Sequence, residues 1–168
     1  MAGSSNLLLG ALAIGVVTGM RSMLAPTMTS RALAACPDIR DADQPARTLA
    51  SPRTFRLLMP LAASEIMGDK LPFAPDRTIK ASMAMRILSG GVSAAALAGA
   101  RRQPILFPAL IGAAAAFVSA KVAFDLRKRH GNSVLTNAGL GLAEDVIGLA
   151  IGNAGLAYAL ASQSSRAS

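Results

Sequence analysis

The sequence predicts an all-α integral membrane bundle of four transmembrane helices plus one short or re-entrant helix, and three observations carry that expectation. First, only 15% of the 168 residues are charged while 52% are hydrophobic, with a mean hydropathy of +0.45. A soluble domain carries about 25% charged residues, because it must solvate its own surface. Second, apolar stretches close to the length of a bilayer core recur along the chain. Third, the 17 Lys and Arg outnumber the nine Asp and Glu, and most of them fall between those stretches. The length suits a single membrane domain over residues 1–168.

A span needs roughly 20 mainly apolar residues. Residues 2–20 are uncharged and hold Leu7-Leu8-Leu9 and Ile14-Gly15-Val16-Val17. They reach span length if the helix continues past Arg21 toward Pro26. The second span covers about residues 84–100, with Arg86 near its start and a first turn reaching back to Ala81. The third covers residues 104–126; Lys121 interrupts it, and Asp125 and the basic loop Arg127-Lys128-Arg129-His130 end it. The fourth covers residues 134–161 and contains Glu144-Asp145.

Residues 54–70 fit less well. Their apolar part is interrupted by Pro60 and followed by Glu65, Asp69 and Lys70. Broken backbone at membrane depth persists only where protein or a water-filled cavity covers it. This segment therefore reads as a short or re-entrant helix, with a fifth span as the alternative. Residues 37–53 read as a polar loop and residues 162–168 as a flexible tail.

Positively charged loops of membrane proteins stay on the cytoplasmic side. With four spans and the N-terminus outside, twelve Lys/Arg face the cytoplasm, and only Arg101, Arg102 and Arg166 lie outside. A five-span arrangement divides the same residues about evenly. The net charge of +8 is then an orientation signal and not a nucleic-acid footprint. Single-strand binders also need aromatic platforms, and this chain has no Trp and one Tyr.

No enzyme motif is evident, and no cofactor is implied. The single His130 lies in the basic loop, and the single Cys36 follows Leu33-Ala34-Ala35. That box resembles a lipoprotein cleavage site, but Arg21 and Arg31 separate it from the apolar stretch, so Cys36 reads as a small buried thiol. His/Cys spacing for zinc is absent, and no metal site is expected.

The informative residues are charges at or inside the spans: Arg21, Glu65, Asp69, Lys70, Arg86, Glu144 and Asp145. A charge at the bilayer centre costs about 2.5–3.5 kcal/mol on insertion scales, so such residues pair or serve a pathway. Glu65 and Asp69 share a helical face at i,i+4 spacing. Four acids against three bases leave one carboxylate for a proton or cation. The competing reading makes the same groups salt bridges that fix helix register, or interfacial residues that snorkel.

Small residues recur at four-residue spacing: Gly15 with Gly19, Gly112 with Ala116, Gly148 with Gly152. They suit close helix packing within the bundle or a homo-oligomer. Two short matches hint at duplication. Residues 8–13 are similar to 110–115, and residues 63–68 to 143–148, a pattern met in transporters built from repeats with broken helices.

Gly19-Met20-Arg21-Ser22-Met23-Leu24-Ala25-Pro26, Glu65 with Asp69-Lys70-Leu71-Pro72, Pro75 with Arg77, and Arg86-Ile87-Leu88-Ser89-Gly90 form one set with Glu144-Asp145. Together they resemble a family of small bacterial integral membrane proteins known as a domain of unknown function. The resemblance covers about residues 7–161 and implies a multi-pass protein of the bacterial inner membrane. It brings no established activity.

The expected function is a transporter or channel for a proton, cation or small solute, with the lipid bilayer as its surroundings. The alternative is a structural or accessory membrane protein. A third reading is a membrane-embedded enzyme acting on lipid.

Overall fold

The computed structural model describes residues 2–68, 79–130 and 134–164. Every regular element among them is helical. The chain runs through α1 (Ala2–Met20), α2 (Leu24–Ala34), a 3₁₀ turn (Pro37–Asp41), α3 (Ala46–Leu49), α4 (Pro52–Gly68), α5 (Ile79–Ala100), α6 (Leu106–His130) and α7 (Val134–Ser164). Among the described residues, two helices are long and apolar enough to cross a membrane: α5 over Ser82–Ala100 and α6 over Leu106–Leu126. Ser4–Met20 of α1 is apolar but shorter. This points to membrane association.

α1 is the centre of the bundle, packed against α5, α6 and α7. Its sequence explains why three helices can surround it. A Cβ on Gly15 would run into the Gly112 carbonyl and Ala115 of α6, and one on Gly19 into Ser119 and the Ala116 carbonyl. On the opposite flank, a Cβ on Gly10 would lie 2.6 Å from the Ala159 Cβ of α7. Gly112 serves a second contact as well, since a Cβ there would come 2.6 Å from the Ala94 Cβ of α5. Gly15, Gly112 and Gly90 thus allow α1, α6 and α5 to touch backbone to backbone, as small residues do in membrane bundles. The small faces that also suited a homo-oligomer are used within the chain.

The interior mixes a few large apolar side chains, Leu7, Ile14, Val17, Leu33 and Leu97, with many small ones, while many other large apolar side chains face outward. Ala94, Ala96, Ala98, Ala116 and Ala159 are fully buried, together with Thr18, Thr29, Ser30 and Ser93. Large apolar side chains point outward: Leu88 and Val92 on α5, Phe107, Leu110, Val118 and Val122 on α6, Leu142 and Val146 on α7. Soluble monomers rarely expose contiguous apolar surface on this scale.

Three sequence expectations are corrected. The first helix does not continue past Arg21. It ends at Met20, and after a break at residues 21–23 a separate helix, α2, begins at Leu24. Pro60 does not interrupt α4, which is helical from Pro52 to Gly68. Pro60 lacks an N–H for the Arg56 carbonyl, and Leu57, Met59 and Leu61 around it are exposed, so the ring sits on the open side of the helix while Leu58 faces the core. The basic run 127–130 is the last turn of α6 rather than a loop; its cations suit a helix C-terminus. The second apolar span, Ser82–Ala100, falls where the sequence placed it, within a helix that begins at Ile79.

Residues 37–53 dock on the bundle. Ala42, Ala46, Leu49 and Ala50 are buried, and the Ser30 hydroxyl donates to the Leu49 carbonyl at 2.6 Å. The Asp43 N–H donates to the Gly99 carbonyl at 3.2 Å, where a Cβ on Gly99 would lie 2.9 Å from the Asp43 carbonyl oxygen. α5 then stops in a Schellman arrangement. Gln103 N–H reaches the Ala98 carbonyl and Arg102 N–H the Gly99 carbonyl, with Arg102 at φ 53°. Half-buried Cys36 follows α2, and burial first, then Asp38, push its thiol pKa up.

Candidate functional site: a charged break between two helices

Ending one helix at Met20 and starting another at Leu24 exposes two sets of backbone groups, the last carbonyls of α1 and the first N–H groups of α2. In an apolar bundle these need partners. Two side chains from other helices supply them. Arg86 of α5 donates through Nη1 to the Met20 carbonyl at 2.8 Å and also to the Gly19 carbonyl. Its Nε lies 3.4 Å from the Ser82 hydroxyl one turn earlier. Glu65 of α4 does the converse. Its Oε1 accepts from the Ser22 N–H at 2.9 Å and the Ser22 hydroxyl at 2.8 Å, and its Oε2 accepts from the Met23 N–H at 2.9 Å. A guanidinium at a helix C-terminus and a carboxylate at a helix N-terminus both oppose the local helix dipole.

Between these two clamps sits Arg21, 3% exposed, with its Nε 2.7 Å from Oδ1 of Asp145 on α7. Asp145 is 13% exposed, so water screens the pair little. Five helices therefore meet at residues 19–23: α1 and α2 supply the break, while α4, α5 and α7 each contribute one charged side chain. Formal charges of Arg21, Arg86, Glu65 and Asp145 balance. Arg21 and Arg86 make further interactions beyond these.

Four of the seven residues singled out from sequence are thus brought together at one point. Of the others, Asp69 and Lys70 lie outside the described residues, and so does the side chain of Glu144. Glu65 and Asp145, matched in the two repeat-like segments, converge on adjacent residues of the break, Ser22 and Arg21. The backbone carbonyls of Gly19 and Met20 and the N–H groups of Ser22 and Met23 are site groups that the sequence reading missed. Ser22 two residues before α2 and Pro26 in its first turn were the available signal, since Pro is tolerated where no N–H is needed.

Beside the break lies a cavity of about 470 Å³, walled by Met20, Met83, Arg86, Phe117, Lys121 and Asp125 among others. A second, almost wholly apolar groove of about 680 Å³ runs between α1 and α6 along Leu12, Val16, Val118 and Val122. Met20 and Ala123 line both. Among the described residues no group of three or more His, Cys, Asp or Glu is placed to hold a metal ion. No protein-family model, curated protein or solved structure matches the chain significantly.

Proposed function

We propose that this chain is a multi-pass protein of the bacterial inner membrane, with α1, α5, α6 and α7 as its four spans. We further propose that it passes a proton, small cation or small solute at the charged break between α1 and α2. The observation that carries the reading is the break itself: two helix ends meet inside an apolar bundle, each faced by a charged side chain. Transporters use such discontinuous helices to bind ions and solutes with backbone groups. Here Arg86 and Glu65 stand where a cation and an anion would stand, so the present arrangement is a closed one. The many large apolar side chains exposed on α5, α6 and α7 support the membrane setting.

Purified protein in proteoliposomes tests the proposal. Wild type is expected to carry proton, cation or solute flux that Asp145→Asn lowers at least on the order of tenfold, the loss produced by ~1.4 kcal/mol. Absence of flux from wild type under every gradient overturns it. Reporter fusions at Ser51 and Gln103 are expected on opposite faces of the membrane, and the same face for both overturns the four-span arrangement.

A second reading has its own support. The four described charges all have partners, as expected of a structural protein whose ion pairs only hold helices in register. Under that reading, Asp145→Asn lowers stability and wild type carries no flux.

A further inference from the structure

The cavity of about 470 Å³ lies between α5 and α6, beside the last turn of α1. Met20 and Arg86 belong both to its wall and to the break, so a molecule held there touches the site proposed above. The described wall is mainly apolar and soft. Met20 and Met83 contribute thioethers, and Phe117 and Phe124 contribute two half-exposed rings. Methionine adapts to irregular shapes and packs favourably on aromatic rings.

The polar groups of the wall are few, and their charges decide the class of occupant. Arg86 adds no free charge: its Nη1 is held by the Gly19 and Met20 carbonyls, and Glu65 and Asp145 balance the two arginines of the break. Lys121 and Asp125 stand about one turn apart on α6, and their formal charges cancel. The Ser82 hydroxyl accepts from Arg86 Nε at 3.4 Å and has no acceptor for its own hydrogen among the described residues, so it offers one donor. An ion in this cavity would exchange its water for apolar walls, which costs far more than a single polar group returns. An uncharged molecule escapes that cost. Pockets of about 300–1,000 Å³ with apolar and aromatic walls and a few polar groups are the usual sites of small organic ligands.

We propose that this cavity binds a small uncharged organic molecule with an aromatic or apolar body and one hydrogen-bond acceptor. The body lies among Met83, Phe117 and Phe124, and the acceptor takes the Ser82 hydroxyl hydrogen. Of the cargoes proposed for the break, the cavity thus selects the small solute over the proton and the cation. This choice rests on the reading of the break as a passage.

The chain has no Trp, so Phe124→Trp places a single fluorophore in the cavity wall of the full chain, reconstituted in phosphatidylcholine liposomes. The probe is para-bromobenzyl alcohol, whose bromine quenches indole fluorescence. Quenching of the Phe124→Trp protein is expected to saturate with probe concentration. Phe107→Trp, at an exposed position of α6 away from the cavity wall, is expected to be quenched linearly, by probe dissolved in the bilayer. Added to Phe124→Trp, Ser82→Ala is expected to weaken binding about fivefold, the worth of one hydrogen bond. Ser82→Phe fills the cavity and is expected to weaken it on the order of tenfold or more. Val118→Phe, in the α1–α6 groove, is expected to change nothing. Linear quenching alike in the Phe124→Trp and Phe107→Trp proteins overturns the site in favour of partition into lipid. Equal responses to Ser82→Phe and Val118→Phe overturn it too. Saturable quenching in a protein that carries no probe across the membrane upholds the site and sinks the passage. Flux without saturable quenching sinks the site alone.

Discussion

The two ends of α1 are held by different physics. Along its first four turns, contact is between backbones, made possible by Gly10 against Ala159 and Gly15 against Gly112. At its last turn, contact is between charges and helix ends, through Arg86, Glu65 and the Arg21–Asp145 pair. Close packing of small residues has no polar group to satisfy and tolerates nothing larger. The charged break tolerates changes of size but no loss of a partner, because each group removed leaves another buried and unpaired. A rigid seam and a separable polar joint therefore occupy one helix, and any motion of this bundle is expected at the joint.

The largest expected effect breaks the joint. Arg21→Ala leaves Asp145 without its cation, and thermal unfolding in detergent should register a loss of about 3–5 kcal/mol. Combining it with Asp145→Ala should recover much of that loss, since the isolated carboxylate is then gone. An additive double variant would show that the two residues do not form the pair described. Next, Glu65→Ala leaves the Ser22 and Met23 N–H groups without acceptors, at about 1–3 kcal/mol each. The exchange of those two amides should rise selectively over their neighbours in α2, and unchanged protection would refute the cap.

The seam gives a smaller effect with a built-in control. Gly15→Val forces α1 away from Gly112 and Ala115 and should cost about 1–3 kcal/mol by overpacking. Gly139 on α7 is exposed with nothing within 4 Å of an added Cβ, so Gly139→Ala should stabilise by about 0.5–1 kcal/mol. If the two glycines respond alike, α1 and α6 are not in backbone contact and the contrast between seam and joint collapses.

Much of the fold was legible because composition and periodicity are local properties. Runs such as 7–17 and 106–120 announce apolar helices, and the four-residue spacing of Gly15 with Gly19 and Gly112 with Ala116 announces close packing. The same logic picked out Arg21, Glu65, Arg86 and Asp145 as charges too costly to leave in hydrocarbon alone. Pro60 misled, because a proline interrupts a helix only where its missing hydrogen bond and ring cannot be accommodated, and an exposed turn accommodates both. The break after Met20 was missed because the uncharged run 2–20 reaches span length only if it is carried past Arg21 toward Pro26, and the local signals, Ser22 and Pro26, are weak beside that demand.

The sequence by itself determined the helical class, the excess of basic over acidic residues, the small-residue faces and the set of charges that demand partners. Each follows from the chemistry of a residue and its near neighbours in the chain. The pairing was decided only by tertiary structure: Asp145 with Arg21 across 124 positions, Glu65 with the start of α2, and Arg86 with the end of α1. Electrostatic partnership depends on distance in space, and that distance is set by which helix faces the Gly and Ala seams bring together.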